Sequence, residues 1–237
     1  FVVPNNTRTI YRHRDRQNNS YWLVWTTDVH AVSSPIAEDP YDRLYWTGQQ
    51  FPRMAIGTDI TGSVAPTYEP SVTRKLGVPA PTDAPTAVVT TPVTSTTVTP
   101  LSRSYVYTWV SGLGEESAPS PASGIIEVKT GETVTITMTG AVPAHIFNTV
   151  SRPALRRIYR TNINGEFQFV KDIAYSATST TDAILDEDLG EIIPSTNWNP
   201  PPDENTGNHP DGPMLGLTSM PNGILAGFSG RSVFFSE

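Results

Sequence analysis

The stretch from Leu155 to Ile173, LRRIYRTNINGEFQFVKDI, constrains this chain most. It reads as two strands folded back on each other at Ile163-Asn164-Gly165. A two-residue Asn-Gly turn pairs Asn162 with Phe167 and Arg160 with Phe169, setting polar groups against aromatics on both faces. A three-residue loop with Gly165 in the left-handed region pairs Tyr159 with Phe169, Thr161 with Phe167 and Leu155 with Ile173. That register gathers the apolar side chains on one face. On the other, expected to be wet, Arg156 meets Asp172 and Arg160 meets Gln168, with Arg157 opposite Lys171 as a mild cost. A hairpin with one apolar face requires a second sheet to cover it. A β-sandwich is therefore expected.

The rest of the chain agrees with an all-β reading. Among 237 residues, 37% are hydrophobic and 16% charged, and threonine is the commonest type. Thr, Val, Ile and aromatics suit pleated, half-buried surfaces. The 22 prolines and 17 glycines stay below the level that signals disorder and read as punctuation between short strands. No long stretch sustains a helical period. The nearest candidate, Ala144 to Val150, is short and bracketed by Pro143 and Pro153. Net charge is −7, which disfavours a general binder of nucleic acid or acidic membrane. With no cysteine, stability must come from packing, and thiolate metal sites and thiol nucleophiles are excluded. No apolar run approaches the length of a membrane span.

Gly77 to Pro85, GVPAPTDAP, is a stiff extended connector, and Asn197 to Pro213 is a polar, turn-rich break. Between them the expected strands are Thr86–Thr91, Tyr105–Val110, Ile125–Val128, Thr133–Met138, Leu155–Thr161 and Phe167–Ile173. Val134, Ile136 and Met138 should point inward, and Tyr105, Tyr107 and Trp109 should share a face. The expected architecture is a sandwich over 77–200 inserted into a second β-rich body made of 1–76 and 201–237. Within that body, YWLVWTTDVHAVSSP should turn at Thr27-Asp28, DRLYWTGQQFPRMA at Gly48, and GILAGFSGRSVFFSE at Ser229-Gly230. These form a weak repeat of the kind seen in propeller blades. A chain that begins at Phe1 and stops inside the strand-like run SVFFSE reads as a fragment of a longer polypeptide.

Ser104 to Pro121, SYVYTWVSGLGEESAPSP, resembles the penultimate strand and following turn of fibronectin type III domains. The Arg-Arg-Ile-Tyr-Arg strand follows it here rather than preceding it, so the resemblance implies similar packing and not the same topology. WLVWTTDVHAVSSPI, RLYWTGQQFPRM, LGVPAPTDAPTA, YVYTWVSGLGEESAPSP, RRIYRTNINGEFQFV and LTSMPNGILAGFSGRSVFFSE together resemble virion structural proteins of tailed bacteriophages. That resemblance implies a non-enzymatic tail or connector (nozzle or tube) component in the virion. It would assemble with copies of itself into a ring, beside other tail proteins and in transient contact with genomic DNA. The alternative is a receptor- or glycan-binding adhesion module of the tail.

Candidate chemistry is sparse. Asp182, Asp186, Glu187, Asp188 and Glu191 could in principle supply paired carboxylates or cation ligands, but their spacing fits no calcium loop. A solvated turn is expected. His13, His30, His145 and His209 show no metal-ligand spacing. Gly112-Leu113-Gly114 is a turn rather than a nucleotide loop. Tyr21, Trp22, Trp25, Tyr45, Trp46 and Trp109 could stack on sugars, although strand positions favour core packing. Arg8, Arg12, Arg14 and Arg16, with Ile10 among them, line one face if extended; the segment is expected to be a solvated strand or one facing acidic residues of a neighbouring segment, the other reading being a docking stripe for an acidic partner or nucleic-acid phosphate. No catalytic residue, metal or cofactor is expected.

Overall fold

The computed structural model describes residues 2–62 and 68–236. Phe1 and Glu237, the ends on which the fragment reading turned, lie outside these residues. The protein is all-β. It divides into two compact units, Phe1–Leu76 with Pro201–Glu237, and Gly77–Pro200. The chain therefore leaves the first unit at the proline-rich connector and re-enters it at the second break.

In the first unit, β1 (Thr9–Arg14) pairs antiparallel with β2 (Ser20–Trp25). Strands β3 (His30–Ser33), β4 (Leu44–Thr47), β5 (Arg53–Ala55) and β6 (Arg74–Lys75) form a four-stranded meander in chain order. A short helix, α1 (Gly57–Thr61), links β5 to β6; the Asp59 carboxylate accepts the Ile56 N–H (3.3 Å) at its start and an Arg74 Nη1 bond (2.5 Å). Leu23, Trp25, Leu44, Trp46, Ala55 and Ile60 are buried together, with the Trp25 and Trp46 rings 5.8 Å apart.

The turn expected at Thr27-Asp28 does not pair its flanking strands. β2 returns instead to β1, across a turn in which Asp15 Oδ1 accepts the Asn19 N–H (2.8 Å), while β3 pairs with β4. The arginine-bearing segment is a strand, as its extended reading implies, and its backbone supplies the ladder that β2 needs. The Gly48 break does join a true pair, β4 with β5, and Gly48 has φ +107°.

The second unit contains β7 (Thr86–Thr91), β8 (Leu101–Arg103), β9 (Tyr105–Val110), β10 (Ile126–Val128) and β11 (Thr133–Thr137). It continues with β12 (Leu155–Thr161), β13 (Phe167–Ala174) and β14 (Ser179–Asp182). One sheet has the order β14-β11-β7 and the other β13-β12-β9, while β8 pairs with β10. Their shared core holds Tyr105, Tyr107 and Trp109 against Val134, Ile136 and Met138, with Ile158 and Val170. The alternations read from the sequence thus place these six side chains inward. Strands β8 and β14 were not legible: LSR is too short, and STTD too polar, to stand out.

The segment after β9 seals that strand's free edge without being a strand. Ser117, Ser120 and Ser123 donate their N–H groups to the carbonyls of Trp109, Tyr107 and Tyr105 at 2.8–2.9 Å. Their hydroxyls accept the same three residues' N–H groups at 3.0, 3.2 and 2.9 Å. A three-residue spacing suits a proline-punctuated, left-handed extended chain, in which every third residue's N–H and serine hydroxyl serve the strand as donor and acceptor.

The chain returns to the first unit in β15 (Leu215–Ser219), β16 (Leu225–Ser229) and β17 (Ser232–Phe235), a three-stranded sheet in that order. β15 lies along β3 and β4, and the Leu217 N–H donates to Thr47 Oγ1 (3.3 Å). The final hairpin turns at Gly230, φ +55°, with Ser229 opposite Ser232.

Candidate functional site: buried arginines and an exposed basic ribbon

The hairpin β12–β13 has the expected register beside its turn, with Tyr159 opposite Phe169 and Thr161 opposite Phe167. Gly165 has φ +83°, and Asn162 Oδ1 accepts the Asn164 and Glu166 N–H groups. Beyond Ile158 a bulge shifts the pairing by one residue, so Arg157 faces Asp172 and Arg156 faces Ile173. The expected Arg157–Lys171 clash is thereby replaced by a two-pronged ion pair, Nε–Oδ1 2.9 Å and Nη2–Oδ2 3.1 Å.

The wet and apolar faces are also exchanged. Arg156 and Arg160, expected in solvent, are fully buried on the face that meets the opposite sheet. Tyr159, Phe167 and Phe169 instead form a smaller cluster on the other face with Val106 and Ile193. Alternation counts arginine as polar, whereas its stem packs as hydrocarbon and its planar head can be satisfied inside a protein. The Arg156 Nε donates to Tyr175 O (2.8 Å), Nη1 to Met138 O (3.3 Å) and Nη2 to Gly140 O (3.2 Å). Its guanidinium lies 4.5 Å from the Trp109 ring centre.

Arg160 organises the acidic cluster. Its Nη1 donates to Asp182 Oδ2 (2.7 Å) and Ile184 O (2.8 Å), and its Nη2 to Asp186 Oδ1 (2.5 Å). Arg103 Nη2 reaches the same Asp186 oxygen (2.9 Å), and Tyr105 OH donates to Asp182 Oδ2 (2.9 Å). Burial, and then the Asp182 charge, push the Tyr105 hydroxyl well above the usual phenol range, so it stays a donor. The expected solvated turn is thus wrong for Asp182 and Asp186, which neutralise buried cations. Glu187, Asp188 and Glu191 do face solvent. A second network ties the Gly-Glu-Glu-Ser turn to the sheet: Glu116 accepts from Arg157 Nη1 (2.9 Å), Tyr159 OH (2.6 Å) and Thr108 Oγ1 (2.6 Å).

Each carboxylate in the two networks faces a guanidinium: Asp182 and Asp186 meet Arg160, and Glu116 and Asp172 meet Arg157. Among the described residues, no group of three or more His, Asp or Glu side chains is placed to hold a metal ion. No helix among them is long and apolar enough to cross a membrane. Gly112-Leu113-Gly114 forms a turn. Of the aromatic sugar-stacking candidates, Trp25, Tyr45, Trp46 and Trp109 are buried and Tyr21 is half-buried, while Trp22 remains 47% exposed.

In the first unit His13, on the inward face of the β1–β2 ribbon, is buried with Nδ1 3.4 Å from Ser33 Oγ. Burial lowers its pKa from 6.5, against the opposing pull of Asp42 and Asp15. A lowered folded-state value means stability that is fully present above pH 6.5 and lost as the pH falls through the folded value. Thermal melts followed by tryptophan fluorescence should therefore show a falling midpoint between pH 7 and pH 5. In His13→Gln that part of the slope should vanish; an unchanged slope would refute the assignment.

Arg8, Arg12, Arg14 and Arg16 all lie on the exposed face of the ribbon and its flanks. Arg8 pairs with Asp28 (2.9 Å) and Arg16 with Asp42 (3.8 Å). Compared with known proteins, the chain matches no family model and no curated sequence.

Proposed function

We propose that this chain is a non-enzymatic structural component of a tailed-bacteriophage virion. In that reading it is a tail or connector protein, of nozzle or tube type, whose copies close into a ring around the passage of the genome. The resemblance of its segments to virion proteins motivates the reading, and one structural observation carries it. Strand β17 exposes side chains on both faces, Val233 at 60%, Phe234 at 37% and Phe235 at 61%, beside Phe228 at 45%. A contiguous apolar edge of this kind is an assembly surface or an aggregation hazard, and proteins manage it by covering it. The first unit is read as part of a propeller, because β3 to β6 form a four-stranded meander as a blade does. A net charge of −7 gives passing phosphate few anchors, which suits a channel wall.

Mass photometry and electron microscopy of the full-length protein across concentrations test the reading. Closed homo-oligomeric rings are expected; a monomer at every concentration, or a ring with a strongly positive lumen, overturns it. The alternative, a glycan-binding module of the tail, has the exposed Trp22 in its favour. Specific binding of the intact protein on a glycan array, lost in Trp22→Ala, would favour that alternative.

A further inference from the structure

The outer face of β1–β2 is half of a potential contact. Its register sets Arg12 opposite Trp22 and Arg14 opposite Ser20, with Ile10 next along the strand. Ile10 and Trp22 are 48% and 47% exposed, and Arg12 and Arg14 are exposed beside them. Among the described residues, neither Arg12 nor Arg14 has a carboxylate partner, unlike the flanking Arg8 and Arg16. Arginine and tryptophan together are the residues that carry binding energy at protein interfaces.

The complementary surface is on this same chain. The sandwich unit, 77–200, holds 7 basic and 12 acidic residues, 7 − 12 = −5, against 9 − 11 = −2 for the rest. Its buried and engaged cations leave that acidic excess in place, because they are matched by Asp182, Asp186, Glu116 and Asp172. Arg103, Arg156 and Arg160 are buried, and Arg157 is engaged by Glu116 and Asp172. The loop following β14 turns outward with Glu187, Asp188 and Glu191 exposed and without cation partners among the described residues. Exposed Leu185 and Ile192 flank them at 40% and 51%. A basic face with an apolar centre thus has its counterpart in an acidic loop with apolar flanks.

We infer that the β1–β2 ribbon of one copy docks on the 185–192 loop of a second copy of this chain. Because the two surfaces differ, the contact is heterologous and repeats head to tail, closing into a ring where the rotation permits. This inference rests on the scaffold reading and names the polar contact within it. Nucleic acid is the lesser candidate for the ribbon: two unpaired arginines provide few phosphate contacts on a chain of net charge −7.

The test uses the full chain in R12E/R14E, E187K/D188K and the four-fold combination, with assembly measured by mass photometry at low and high salt. All four positions are exposed, so circular dichroism and melting midpoints should match the parent. Each charge-reversed pair is expected to raise the half-assembly concentration tenfold or more, because like charges then face each other. The combination, which restores opposite signs, should return it to within about threefold of the parent. High salt should weaken the parent's assembly in the same direction. Rings that form equally well in both pairs, or a combination that rescues nothing, would overturn this contact and leave the scaffold reading standing. Failure of the parent to assemble at all would overturn both. Loss of DNA retention in R12E/R14E with assembly unchanged would reassign the ribbon to phosphate.

Discussion

Asp182→Ala should cost the sandwich unit about 3–5 kcal/mol, measured by equilibrium urea unfolding. Asp182 and Arg160 are both completely buried, and their 2.7 Å contact is the shortest route by which Asp182 offsets that guanidinium. Deleting the carboxylate leaves a cation in the core, removes the acceptor for Tyr105 OH, and frees the Ile184 N–H that Asp182 Oδ1 binds (2.9 Å). Asp186 does not substitute for it, because one of its oxygens already serves both Arg160 and Arg103. The informative companion is Arg160→Met with Asp182→Leu. Replacing a buried pair by apolar residues of similar volume is often close to neutral, so the double variant should be more stable than Asp182→Ala alone. A loss below about 1 kcal/mol for Asp182→Ala would mean that the network is not what holds this end of the sandwich together.

Trp109→Ala should be comparably severe, again about 3–5 kcal/mol. Its ring is fully buried, meets Tyr107 edge-on at 5.8 Å and 84°, and forms the floor beneath the Arg156 guanidinium. The substitution creates a cavity and also removes an aromatic face from a buried cation. Consequently Trp109→Ala and Arg156→Met should not add: the double variant should be less destabilised than the two losses combined. Strict additivity in the same urea measurements would show that the stack contributes nothing beyond packing.

What the sequence disclosed follows from which signals are local. The loop at Ile163–Gly165 specified the pairing beside it, because Gly165 takes a left-handed conformation and Asn162 caps the turn. The bulge opposite Ile158 was invisible, since one extra residue changes no composition and little periodicity. It nevertheless decides which arginine meets Asp172. The inward rows Val134-Ile136-Met138 and Tyr105-Tyr107-Trp109 were legible as simple alternation. Arg156 and Arg160 were placed in water because their partners lie far along the chain, at Met138, Gly140, Tyr175, Asp182 and Asp186. The acidic cluster misled for the same reason. Its members look alike in sequence, and only the fold separates the two that face inward from the three left outside.

The serine-proline ribbon on β9 has a counterpart at the far side of the same sheet. There Phe169 exchanges backbone bonds with Glu191 and Gly190, and the Ile193 N–H donates to Phe167 O, so Gly190 to Ile193 runs along β13. Both margins of that sheet are thereby occupied by segments that cannot template another strand in register. Crowded side by side, these sandwiches find no hydrogen-bond ladder there to extend, so open-ended stacking into fibres through this sheet is shut off at its source.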